Sequence, residues 1–165
     1  MKIRLFYFLL LVIGITASAD PADDARYVAR VMTKVDQGIE KARANRERPD
    51  WYVQCEIDLR ELNEALPRLP DAARAPYLAK IKVYQPEVDA GVKLSRGMNL
   101  ARRIRSTLDS ARADLARTTI DDSIFESIDR YFAEPDAKGI PADHLKALQA
   151  DYADLKKENA KKKQK

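Results

Sequence analysis

Residues 86–118, PEVDAGVKLSRGMNLARRIRSTLDSARADLART, decide the fold class. Leu94, Ala101, Ile104, Leu108, Ala111 and Leu115 follow one another at spacings of seven, three, four, three and four. That rhythm sets all six on one stripe of a helix, and an apolar stripe of this length needs a partner. The other side carries Arg96, Arg102, Arg103, Arg105, Asp109, Arg112 and Asp114, which belong in water because burying an unpaired charge is strongly unfavourable. This arginine-rich side is either a solvated face or an anion-binding patch. Pro86 predicts a helix start: its missing N–H is not needed in a first turn, and Gln85 before it is pushed away from helical geometry. A kinked continuation of the preceding helix is the alternative. Gly91 and Gly97 each weaken a helix by about 1 kcal/mol relative to alanine unless a neighbour packs closely there.

Working outward, the same periodicity recurs on both sides of this spine. Asp20-Pro21 supplies a cap and a first-turn proline, and Asp23 and Asp24 suit the positive end of a helix dipole, so a helix is expected from there to about Asn45. Its stripe is Ala25, Val28, Met32, Val35, Ile39 and Ala42. After the polar loop Arg46 to Pro49, Asp50 is placed to cap a second helix carrying Tyr52, Cys55, Leu59, Leu62 and Leu66, which Pro67 and Pro70 stop. Asp71 opens a third, disturbed early by Pro76 and carrying Tyr77, Leu78, Ile81 and Tyr84 up to Gln85-Pro86. Beyond the spine, Asp121 or Asp122 caps a short helix with Ile124, Ile128, Tyr131 and Phe132 inside, and Pro135 and Gly139 end it. Pro141 opens a last helix in which Leu145, Leu148, Tyr152 and Leu155 face inward. The expected fold is therefore all-α, an elongated bundle of five or six helices.

A long-range similarity divides this bundle in two. Shifting the first helix by 69 residues lays Ala25, Val28, Met32, Val35, Ile39 and Ala42 on Leu94, Gly97, Ala101, Ile104, Leu108 and Ala111. A shift of 71 matches Ile57-Asp58 with Ile128-Asp129 and Leu69-Pro70 with Ile140-Pro141, whereas the third helices need a further gap. Two similar three-helix halves sharing the spine would produce this pattern, as would chance alignment of amphipathic helices.

The N-terminus reads as a cleaved secretory signal over residues 1–19: Lys2 and Arg4, an apolar run from Leu5 to Ile15, then Ala17-Ser18-Ala19. That run is well short of the roughly 20 residues needed to span a bilayer, so the cleaved chain is expected not to span a membrane. The expected location is a bacterial periplasm or the cell exterior. Loss of Lys2 and Arg4 lowers the formal net charge from +4 to +2, and the remainder is unevenly spread. Residues 156–165 hold six lysines and one glutamate, against a mildly acidic single helical domain over 20–155. With nothing apolar to bury, 156–165 is expected to be a flexible basic tail, either solubilising or a tether to an anionic envelope component.

No catalytic or cofactor motif is present. Cys55 is the single cysteine, so no intramolecular disulfide can form, and its place on an apolar stripe predicts a buried, inert thiol. The single histidine, His144, has no Cys or His at ligand spacing, which argues against zinc, and there is no Glu-x-x-His pair for two irons. A nucleophile elbow and a phosphate-cradling glycine loop are both missing. Asp121 with Asp122, or Glu126 with Asp129, are acid pairs better explained by capping and surface charge. The expectation is a non-enzymatic protein without cofactor that binds a protein or an anionic envelope component; an acidic body on an exported chain argues against nucleic acid. A self-associating structural protein, with heptad-like coiled-coil pairing of the first helix and the spine between chains, is the second expectation, and a helical enzyme or small-ligand carrier the third. The candidate contact residues are Trp51, just after a cap, Arg102, Arg105 and Arg112 of the spine, and Lys161, Lys162, Lys163 and Lys165 of the tail.

Overall fold

The computed structural model describes residues 20–45 and 48–164. The signal pattern, Arg46 of the first loop and Lys165 lie outside them. The described chain folds as five α-helices: α1 (Pro21–Ala44), α2 (Asp50–Ala65), α3 (Asp71–Arg117), α4 (Asp122–Ala133) and α5 (Ala142–Lys163). Turns of 3-10 helix at Leu66–Arg68 and Pro135–Gly139 link α2 to α3 and α4 to α5. The all-α bundle expected from periodicity is what forms, with five helices, the lower of the two expected counts.

A helix start was the first expectation at Pro86, with a continuation of the preceding helix the alternative, and no start forms there. Instead α3 runs unbroken for 47 residues through both Pro76 and Pro86, which at about 1.5 Å per residue gives a rod of roughly 70 Å. Pro86 is exposed, and so is Lys82, whose carbonyl it leaves without its helical donor. Ile81 and Val88, on either side, are buried in the same core. Burial flanking the proline outweighs the roughly 3 kcal/mol that an interior proline costs.

Two hydrophobic cores lie along this rod. The first joins Val28, Val31, Met32, Val35 and Ile39 of α1, Cys55, Leu59 and Leu62 of α2, and Ile81, Val88 and Val92 of α3. The second joins Leu100, Ile104, Leu108 and Leu115 of α3, Phe125 and Ile128 of α4, and Leu148, Tyr152 and Leu155 of α5. Ile81 to Leu108, and Val88 to Leu115, are each 27 residues apart. At 3.6 residues per turn that is about seven and a half turns, so the two cores grip opposite faces of α3. Leu94, at the crossover, is only half-buried, while Ser95 and Leu100 take core positions the stripe did not include.

The halves repeat one order: long helix, loop, short helix, proline-containing 3-10 turn, helix. All six buried residues of α1, Val28 to Ala42, fall on buried residues of α3 at the shift of 69, including Val31 on Leu100. Leu69 and Ile140, at the shift of 71, are both buried, and Pro70 and Pro141 after them precede α3 and α5 with φ, ψ of −58°, 148° and −54°, 138°. The third helices need no further gap: Tyr77, Ile81, Tyr84 and Val88 fall on Leu148, Tyr152, Leu155 and Asn159 at that same shift. Only the short helices diverge, since Ile57 is 43% exposed where Ile128 is fully buried.

Where the two cores meet, backbone replaces side chain. A methyl group on Gly91 would fall inside the ring of Tyr52, and one on Gly97 inside the backbone of Gly139 and Ile140. Close packing is thus what the two glycines permit, at the cost in helix propensity noted above. Asp20 caps α1 through the N–H of Ala22 at 2.9 Å, and Asp121 caps α4 through that of Ser123 at 2.8 Å. Asp50 does not cap α2: Pro49 holds that place, and the Asp50 carboxylate accepts the Ser95 hydroxyl at 2.8 Å, pinning α2 to the spine.

Candidate functional site

The arginine face of the spine is largely neutralised from within. Arg96 meets Glu56 of α2 at 3.2 Å, and Arg103 meets Glu134 at 3.5 Å while its guanidinium lies 4.6 Å from the Tyr131 ring centroid. Arg105 and Arg112, seven residues or about two turns apart on α3, converge on opposite oxygens of Asp151 of α5, Arg112 at 3.0 Å. Hydrogen bonds from Arg105 and then Arg112 hold the Asp151 carboxyl below the usual aspartate range. The first half has the mirror-image device: Asp36 of α1 pairs with Lys80 of α3 at 2.7 Å and accepts the Tyr84 hydroxyl at 2.9 Å. Asp36 and Lys80 fall on Arg105 and Asp151 at the shifts of 69 and 71, so the pair recurs at one station with its signs exchanged.

Arg102 differs. Exposed on α3, its guanidinium donates to the Asn99 side chain and to no carboxylate among the described residues. It stands at the rim of a depression of about 250 Å³ between α3 and α5, floored by Met98, Ala101, Ala147 and Leu148, with Arg105 and His144 completing the edge. No protein family matches the chain, nor does any curated protein or solved structure. What the surface can do must therefore be judged from its own chemistry: an apolar floor under one unneutralised cation, and no nucleophile held against a base.

Arg102 and Arg105 are brought together there, and Arg112 lies along the same helix. Trp51 is in the other half, 36% exposed, with the Lys41 ammonium 5.4 Å from its ring centroid. The basic C-terminal residues are not a free arm up to Lys163. α5 continues past Leu155 because Asn159 takes the next core position: its side-chain oxygen accepts the Ile120 N–H at 2.7 Å and its amide donates to the Ile120 carbonyl at 3.2 Å. Lys162 donates to the carbonyls of Leu115, at 2.5 Å, and Thr118, at 3.3 Å, capping the negative end of the spine. Lys163 pairs with Asp122 at 2.8 Å, and Lys161 stays exposed. The polar Asn159 and the lysines after it gave the sequence no apolar signal of this docking.

Cys55 is fully buried, and burial, then the nearby Asp58 charge, pushes its thiol up to about 11. Among the described residues no group of three or more His, Cys, Asp or Glu is placed to hold a metal ion, and no helix is long and apolar enough to cross a membrane.

Proposed function

We propose that the chain is an exported, non-enzymatic helical protein that works by binding another macromolecule of the cell envelope, as an adaptor, inhibitor or chaperone-like module. The observation that carries this reading is the α3–α5 depression, where the unneutralised Arg102 overhangs an apolar floor. Such a surface suits a segment that inserts an apolar side chain and presents a carboxylate beside it. The export component rests on the pattern of residues 1–19. Crosslinking in intact cells followed by mass spectrometry tests the reading. A crosslink from the 98–105 or 144–148 segments to an acidic partner peptide, lost in Arg102→Glu, supports it. Crosslinks absent from both segments, or unaffected by that charge reversal, refute it.

Self-association is a second reading, and its surface has moved. The stripes of α1 and the spine are spent inside the chain, but Ala72, Ala79, Val83, Pro86 and Ala90 form an exposed small apolar stripe on α3, with Val83 68% exposed. A sedimentation coefficient independent of concentration would sink this second reading.

A further inference from the structure

Along the seam of α1 and α2 lies a second groove, of about 310 Å³. Lys34, Gln37 and Lys41 recur at helical spacing on α1 and face Trp51, Gln54 and Asp58, which do the same on α2. Gly38 forms its floor, since a side chain there would press to 2.7 Å on the Cys55 sulfur. Asp58 is the unusual member. It is 7% exposed, accepts only the Gln54 amide, at 3.0 Å, and has no cation within ion-pair distance among the described residues. Buried carboxylates are normally paired with charge, yet Lys34 and Lys41 on the same groove also form no ion pair among those residues.

The groove thus offers a carboxylate that only accepts hydrogen bonds, two amides that both donate and accept, two cations, and an indole at one end. An apolar ligand would leave Asp58 and the amides unanswered. A bare anion would meet the Asp58 charge, and a diamine would meet the two lysines. A hydroxyl-rich ring bearing one acid group satisfies the set: hydroxyls donate to Asp58 and exchange hydrogen bonds with Gln37 and Gln54, the acid meets Lys34 or Lys41, and the C–H face of the ring covers the indole. The size is at the small end of ligand pockets, fitting a sugar unit better than an extended chain. We propose that the α1–α2 groove binds a carboxylate-bearing sugar. This site is separate from the α3–α5 depression and does not depend on it.

Trp51 is the single tryptophan of the chain, beside seven tyrosines, so emission excited at the red edge, beyond the tyrosine absorption band, reports on this groove alone. Titrating the purified protein with glucuronate should give a saturable change in emission, half-complete at about 1 mM or below, as expected for a small ligand on a partly open site. Glucose, which lacks the acid, and acetate, which lacks the ring, should each be weaker by about ten-fold or more at matched ionic strength, the loss of one charged hydrogen bond being of that order. Asp58→Asn and Lys34→Gln, checked by far-UV circular dichroism for an intact helix signal, should each weaken glucuronate by a similar factor. Three results would overturn the proposal: no saturable response up to about 10 mM glucuronate, an equal response to acetate, or undiminished binding by both variants with their helices intact.

Discussion

Replacing Gly97 by alanine sets two effects of opposite sign against each other. In an open helix the change stabilises by roughly 0.5–1 kcal/mol, because glycine is the more conformationally free residue when unfolded. In this helix the added methyl would overlap the Gly139 carbonyl carbon and oxygen and the Ile140 nitrogen. Those are backbone atoms in a 3-10 turn, which cannot rotate aside as the end of a lysine could. Gly139 is itself seated against the Lys93 carbonyl, so the turn has no room to retreat along the spine. Inserting a methylene into a tight site costs about 1–3 kcal/mol, and a backbone-on-backbone overlap belongs at the upper end. The expected net effect is a destabilisation of about 2 kcal/mol, or roughly 4–8 °C in Tm for a chain of this size. Thermal and urea unfolding followed by far-UV circular dichroism measure it, with the exposed Ala90→Gly variant giving the helix-propensity effect alone. Trp51 emission adds a probe confined to the first half. Because the overlap lies in the second, the helix signal of Gly97→Ala should begin to fall before Trp51 reports. A Gly97→Ala protein as stable as the parent, or more so, would show that the turn does not press on the spine and would refute the packing described for that half.

Asn159→Ala leaves the Ile120 N–H and carbonyl buried without partners, and a loss of about 2–3 kcal/mol in urea unfolding is expected, whereas a change below about 0.5 kcal/mol would mean the clamp contributes little. Asp151→Asn should lower stability at neutral pH by at most about 1 kcal/mol, since the pair with Arg105 and Arg112 is partly solvent-exposed. Because the folded Asp151 carboxyl is held below its unfolded value near 4, its contribution is complete above that pH and is lost as pH falls through the folded value. Urea midpoints of parent and variant should therefore converge as the pH is taken well below the unfolded value, and a gap that never closes on acidification would contradict the assignment. Cys55 should react with a thiol reagent at pH 8 only as fast as the protein unfolds, and prompt labelling of the native protein would contradict the burial of that thiol.

Most of the helices were legible because burial follows the 3.6-residue rhythm, and the stripes of α1 and of the second half of the spine needed no structure to be found. Two errors came from reading residues by local preference. Pro86 signals a helix start when only its missing N–H is considered, but its position on the exposed side of a rod buried on both flanks leaves the helix intact. Asn159 and Lys162 read as polar tail, yet one clamps a backbone and the other caps a helix 44 residues earlier in the chain at Thr118, contacts that no periodicity records. The surface was less legible still. The arginines of the spine were conspicuous, but which of them is neutralised depends on Asp151 and Glu134, residues whose approach only the packing of α5 and α4 decides. The buried Asp58 lies one position from the apolar stripe of α2, outside the residues that periodicity marks for burial.

The sharing of α3 by two cores on opposite faces makes helical phase a determinant of shape. Each residue advances the helix by about 100°, so one inserted or deleted at the crossover would swing one core about the axis by that amount relative to the other. A four-residue change would nearly restore the angle while sliding the cores about 6 Å apart or together. Residues 91–97 are gripped from both sides, by Tyr52 and Asp50 on one and by Gly139 on the other, so the crossover has no slack in which a change of length could be absorbed. The relative orientation of the two grooves is thus carried as a residue count along one rod, fixed by the contacts that both halves make with it.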